Sequence, residues 1–291
     1  MINPLAILPQ LQRGLFQRKQ FFSLFLVAML LGGCQLTEPK AFLGDMNSVH
    51  LRLGNPSHVA TLNPDRYHLF LRPQYALLYD RTTNTPAWAS WQLNAAWLGT
   101  GSRPVFTPEP ELPAGWFTVT PRNYTGSGFD RGHIVPAADR NHTPEDEAAV
   151  FYMSNIAPQA PDNNRGPWEK LESYCRILVK SGKELYIIAG PIGKGGVGSA
   201  GPATAISANK ITVPAAFWKI VVVTNRPGQG LDSITKKTRV IAVLIPNQQG
   251  IKEDRWQKFS TTVQDLEQRT GYDFLSNLPQ DVKNSLETKA P

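Results

Sequence analysis

The chain has 291 residues, 41% hydrophobic and 18% charged, a balance that excludes a disordered or collagen-like protein and allows a sizeable core. Its 23 glycines and 24 prolines follow no period, which excludes a repeat array and implies many turns. A formal charge of +7 is compatible with a polyanionic partner but too small to establish one, since charge alone speaks to steering and solubility.

Taken from the start, Arg13, Arg18 and Lys19 lead, with no acid among them, into the apolar run Phe21 to Leu31. Spanning a bilayer takes about 20 residues, so this run reads as the h-region of an export signal, removed from a mature chain without an integral membrane segment. Cys34, after Leu31-Gly32-Gly33, resembles the lipobox of bacterial lipoproteins, in which the cysteine carries lipid. An ordinary signal cut nearby, with Cys34 incidental, is the alternative. Residues 1–33 are therefore assigned as signal and the product as secreted or periplasmic, membrane-anchored where Cys34 is lipidated. Removing them takes away three bases and no acid, leaving a mildly basic +4. Cys175, the other cysteine, falls inside a predicted helix, so no disulfide framework is expected.

Residues 34–63, mixing Pro, Gly, Asn and Ser, read as a tether. The predicted body spans 64–278 and 279–291 a tail. Gln74 to Asp80 and Ala87 to Leu93 flank the turn-rich segment 81–86 and predict an antiparallel hairpin. A helix is predicted from Thr143-Pro144, cap and first-turn proline, over Glu145 to Met153. A second runs from Pro167 to Ser181, with Trp168, Leu171, Cys175, Leu178 and Val179 on one face and Glu169, Glu172, Arg176 and Lys180 on another. Glu184 to Ala189, Ile211 to Val213, Phe217 to Thr224 and Arg239 to Ile245 are rich in β-branched and aromatic residues and predict strands. A last helix, Thr262 to Thr270, stops at Gly271. Hairpins with few helices predict an α+β fold around a mostly antiparallel central sheet flanked by helices.

The stretch most informative about chemistry is Asp130-Arg131-Gly132-His133-Ile-Val-Pro-Ala-Ala138. Histidine can take a proton near neutral pH, arginine presents a forked donor to phosphate, and glycine lets the backbone bring both to one point. A buried histidine beside a surface Asp/Arg pair is the alternative for so short a motif. Downstream, Asn164 precedes Glu172 and Arg176, which are one helical turn apart on one face; alone they would read as a solvated ion pair. With His133 they make a hard-oxygen and cationic set suited to Mg²⁺ and a phosphodiester.

These residues, with Trp97-Leu-Gly, Leu112-Pro-Ala-Gly-Trp, Pro158-Gln, Pro161-Asp-Asn-Asn and Thr270-Gly-Tyr-Asp-Phe-Leu-Ser-Asn, resemble the DNA/RNA non-specific endonuclease family of ββα-metal (His-Me finger) nucleases over roughly 64–278. The resemblance looks closest to the secreted cyanobacterial nucleases. It implies a ββα-metal site in which His133 is the general base and Asn164 the direct ligand of Mg²⁺, with Mn²⁺ as a substitute. It makes Glu172 the carboxylate holding metal-bound water, and Arg176, Arg131 and Arg103 the phosphate-facing arginines. Asp130 would support the loop and Asn155 position His133 or its loop. DNA and RNA are the implied substrates, with 5′-phosphate products.

Other signals are set aside. Gly193-Lys-Gly195-Gly-Val-Gly198 fits a dinucleotide-binding pattern but lacks the following helix and reads as a loop. His142 lacks the Arg-Gly context of His133. Lys236, Lys237 and Arg239 read as a solvated strand entrance. Neither CxxC nor HExxH is present, and the histidines at 50, 58, 68, 133 and 142 lack the spacing of zinc ligands. Two competing functions remain: a non-catalytic polyanion-binding lipoprotein, and a phosphodiesterase for small esters.

Overall fold

The computed structural model describes residues 48–57 and 62–289. The expected signal segment, Cys34 and the expected tether up to residue 47 lie outside them.

The strands in chain order are β1 (Tyr67–Leu71), β2 (Ala76–Asp80), β3 (Thr85–Leu93), β4 (Asp130–His133), β5 (Ile156–Gln159), β6 (Glu184–Ile192), β7 (Gly196–Gly198), β8 (Gly201–Ala203), β9 (Ala205–Ile206), β10 (Ile211–Thr212), β11 (Ala216–Thr224), β12 (Arg239–Pro246) and β13 (Ser260–Thr261). Helices are α1 (Pro144–Val150), α2 (Pro161–Asn163), α3 (Glu169–Lys180), α4 (Val263–Thr270) and α5 (Gln280–Glu287). Seven strands form one antiparallel sheet in the order β1-β2-β3-β6-β11-β12-β13.

Strand alternation sorts side chains onto two covered faces, which is why the central strands read as continuous apolar runs. Trp91, Ile187, Phe217, Val221 and Val243 pack under α3 with its Leu171, Cys175 and Val179. On the opposite face Trp88, Ile188, Trp218, Ile220 and Val222 meet Val263 and Leu266 of α4 and Leu286 of α5. Burying each such large side chain contributes about 1.5–3 kcal/mol. Cys175 is free and buried.

The predicted hairpin, the strands at 184, 211, 217 and 239, and the three predicted helices are present with shifted ends. Thr143 caps α1 by accepting from Asp146 N, and Gly271 ends α4 in the left-handed conformation at φ 72°. Gly196 to Ala203 forms the β7–β8 hairpin rather than a nucleotide-binding turn.

Two boundaries differ from expectation. Leu51 and Leu53 are buried in the core beneath α4, so the folded body begins by residue 48 and not at 64. The predicted tail contains α5, docked by Leu286 and tied by Lys283 to Asp273 and Glu287. Its two apolar positions, Val282 and Leu286, are four apart and bury one narrow stripe. No helix among the described residues is long and apolar enough to cross a membrane.

Candidate active site

Among the described residues the short strands β4 and β5 pair only with each other, in the register Asp130↔Gln159 to His133↔Ile156. Alternation along β4 puts Arg131 and His133 on the same side. Gly132, expected to permit a turn, is instead an ordinary strand residue: a Cβ there would lie 2.2 Å from Gln159 Oε1 and 2.5 Å from its Cβ. Its missing side chain lets the buried Gln159 pack against the strand.

After β5, α2 and a wide turn over 164–168 lead into α3. The turn breaks helical geometry at Gly166 (φ −122°, ψ −117°), where a Cβ would meet the Lys252 backbone at 2.7 Å. Two paired strands followed by a helix thus carry the site.

Arg103, Arg131, His133, Asn164, Glu172 and Arg176 line one cleft of about 570 Å³, together with Glu147, Arg165 and Glu169. Of the residues expected at the site, Asp130 and Asn155 stand behind the cleft wall. Asn155 is fully buried, its amide bracketing the Val135 backbone: Oδ1 accepts from Val135 N (3.0 Å) and Nδ2 donates to Val135 O (2.9 Å). Its backbone carbonyl accepts from Ile134 N as well. These bonds fix the chain that leaves His133.

Asp130 accepts from Asn164 Nδ2 at 2.9 Å and pairs with Arg165 through both carboxylate oxygens. The Asn164 amide is thereby oriented, and no donor among the described residues reaches its oxygen.

The His133 imidazole packs between the rings of Phe106 and Phe151, at 5.2 and 4.9 Å. Its Nε2 is buried without a hydrogen-bond partner among the described residues. Burial, reinforced by the Arg103 guanidinium, pulls its pKa down to about 3, so the ring is neutral and retains a lone pair at neutral pH. Arg103 itself adopts φ +56°, a conformation side chains rarely take. Its N–H donates to Glu147 Oε2 at 3.0 Å, and Gly101 lies so close to that carboxylate that a Cβ would clash. Glu147 on α1 therefore fixes the loop that delivers Arg103.

Glu172 and Arg176 share a face of α3 but do not pair with each other. Arg176 Nη1 donates to the buried Asp139 (3.2 Å), which also accepts from Trp91 Nε1. Glu172 instead faces Lys219 Nζ, at 3.5 Å. Burial pushes the Glu172 pKa up to about 7, against the opposing pull of Lys219. Arg131 donates Nε and Nη2 to Pro121 O and stands 5.5 Å from the Phe106 ring centre.

His142 is exposed and does not line the cleft. Sequence reasoning missed Arg165, Glu147, Asp139 and Lys219. Of these only Lys219 left a signal, as a lone charge within the apolar strand β11.

Comparison with known proteins gives the family of the chain. Residues 57–281 match the family described as DNA/RNA non-specific endonuclease. The chain is 50% identical over 270 residues to a protein named Nuclease from Nostoc sp., covering 91% of this chain and 95% of the relative. Human mitochondrial Endonuclease G is 30% identical, covering 74% of this chain and 72% of its own length. A crystal structure of the EndoG/EndoGI complex superposes with TM-score 0.65 at 24% identity, over 82% of this chain and 95% of that one, which shows a common fold. The chain belongs to the DNA/RNA non-specific endonuclease family and is a nuclease with that family's ββα-metal fold.

Proposed function

We propose that the protein hydrolyses phosphodiester bonds of both DNA and RNA with Mg²⁺ as cofactor and Mn²⁺ as its substitute, leaving 5′-phosphates. The observation that carries this reading is the convergence of His133, Asn164, Glu172 and the arginines 103, 131 and 176 on one cleft.

The donor set fits a hard divalent cation. Asn164 offers an amide oxygen whose partner nitrogen is held away by Asp130, and Glu172 offers a carboxylate; among the described residues neither a thiol nor a second imidazole lines the cleft. Asn164 would hold the ion directly and Glu172 through water. When bound, the ion supplies Lewis-acid stabilisation of the phosphate and of the departing 3′-oxygen.

His133 accepts the proton of the attacking water. Before substrate enters, its depressed pKa makes it a weak base. An entering phosphate brings negative charge beside it and raises that pKa toward the working range. Water attacks phosphorus as the bond to the 3′-oxygen breaks, so the phosphate stays on the 5′ side. Arg103, Arg131 and Arg176 offset charge growing on the phosphoryl oxygens, with each lost donor costing about 3–4 kcal/mol. No step uses a 2′-hydroxyl, so deoxyribose and ribose backbones are equivalent to the site.

The test is plasmid and RNA digestion by the purified mature chain with Mg²⁺, with EDTA, and by His133→Ala, which should lose about 10²–10⁴-fold in rate with its fold intact. Supercoiled plasmid left uncut by wild type in both Mg²⁺ and Mn²⁺ would favour a polyanion-binding role. Hydrolysis of bis(p-nitrophenyl) phosphate alone would favour a small-ester phosphodiesterase. Export rests on the basic segment and the apolar run Phe21 to Leu31. Mass spectrometry of the mature N-terminus decides whether Cys34 carries the lipid we propose there.

A further inference from the structure

Lys219 stands where a sheet of this kind has no use for a charge. On β11 it shares a face with Phe217 and Val221, its cross-strand neighbours are Ala189 and Val243, and it is 1% exposed. The small Ala189 leaves room beside it. Its Nζ sits 3.9 Å from the centre of the Trp168 ring and 5.6 Å from that of Trp91. Among the described residues its one ion-pair partner is Glu172 Oε1 at 3.5 Å. An ammonium is rarely placed in such surroundings unless paired, and here the carboxylate it pairs with reaches the cleft.

We infer that Lys219 is a positioning residue of the active site, reaching through the core from the sheet to hold the Glu172 carboxylate by Oε1 and leave Oε2 to the cleft. The inference rests on the nuclease reading of that cleft and deepens it. The sheet supports the site helix by apolar packing at Leu171, Cys175 and Val179, which fixes distance but leaves the Glu172 side chain free to rotate. A cation fixed in the strand removes that freedom, much as a carboxylate behind a ligating histidine orients the ring. Trp168 and Trp91 wall the ammonium in and exclude a competing anion, and their ring faces offset part of the cost of its desolvation.

The test uses Lys219→Met, Lys219→Arg, Glu172→Gln and the double variant Lys219→Met/Glu172→Gln. It reads steady-state cleavage of a defined duplex and Mn²⁺ binding by electron paramagnetic resonance. Lys219→Met should lower kcat and Mn²⁺ affinity by about 10–100-fold while changing KM for DNA little, and Lys219→Arg should recover most of the loss. In the Glu172→Gln background, Lys219→Met should lower kcat no further, because the lysine acts through that carboxylate. Wild-type kcat and Mn²⁺ affinity in Lys219→Met, or losses that multiply in the double variant, overturn the inference. Should Lys219→Met alone fail to fold, the double variant, in which both groups are neutral, against Glu172→Gln decides it: a kcat no lower in the double variant supports the inference and a further drop overturns it. Failure of the nuclease reading shows separately, as wild type that cuts nothing, and the Mn²⁺ titration then decides the role of Lys219.

Discussion

Asn164 Nδ2 donates to Asp130 Oδ2 at 2.9 Å, while Arg165 clasps the same carboxylate with Nε at 2.8 Å and Nη2 at 2.6 Å. One acid thus decides which way an amide points. An amide left to rotate would present its NH₂ to the cleft half the time, and a cation cannot use an NH₂.

Asp130→Ala should therefore lower activity and Mn²⁺ affinity by about 10–100-fold without loss of secondary structure. Cleavage rates and far-UV circular dichroism check this. Unchanged rates in a folded Asp130→Ala would show that the amide keeps its orientation without the acid.

Gly132→Ala places a methyl group against Gln159 Oε1 and Cβ, both nearer than real Cβ contacts allow. Gln159 is fully buried and its Nε2 donates to Asn163, so it cannot simply swing aside. We expect a loss of about 1–3 kcal/mol in urea unfolding, together with reduced cleavage as His133 is displaced.

Arg140 is wholly buried, donating to the backbone carbonyls of Gln74, Asp139 and Gln92 and lying 4.1 Å from the centre of the Trp97 ring. It joins β3 and the loop before β2 to the segment after β4. Arg140→Met removes a donor from each of three carbonyls and should cost about 3 kcal/mol or more, measured by denaturant titration.

Burial, with Glu287 nearby, raises the Glu267 pKa to about 7, while the Phe274 N–H it accepts opposes the shift. In the folded state this acid holds its proton to higher pH than in the unfolded chain. Its contribution to stability is complete below about pH 4.5 and is lost as pH rises through about 7. Glu267→Gln, which can still accept from Phe274, should match wild type in melting temperature at pH 4 and exceed it by a few degrees at pH 8. A difference that shrinks as pH rises would contradict the sign.

The sequence made the scaffold legible where one physical signal dominated. The 76–93 hairpin showed itself by a turn-rich loop between apolar runs, and α1 and α4 by their threonine caps. The site hairpin did not: Asp130 to His133 has no apolar alternation, and its partner strand contains Pro158. Both are extended because they pair with each other, a tertiary effect that no local window contains. Segment 280–287 hid because two apolar residues and a proline before it fall short of a helix signal. Within the site, spacing put Glu172 and Arg176 on one face, yet each found its partner elsewhere, in Lys219 and Asp139. Those partners come from β11 and from the segment after β4, at separations only the fold can bring together.

The strand that bears His133 is bonded to one four-residue neighbour and to no strand of the large sheet. Hydrogen exchange should find its amides opening with less free energy than those of β6 or β11, which are paired on both sides. Heat will then silence the enzyme several degrees before the bulk of the protein melts, and cooling from that interval will restore cutting at once, with no refolding of the sheet required.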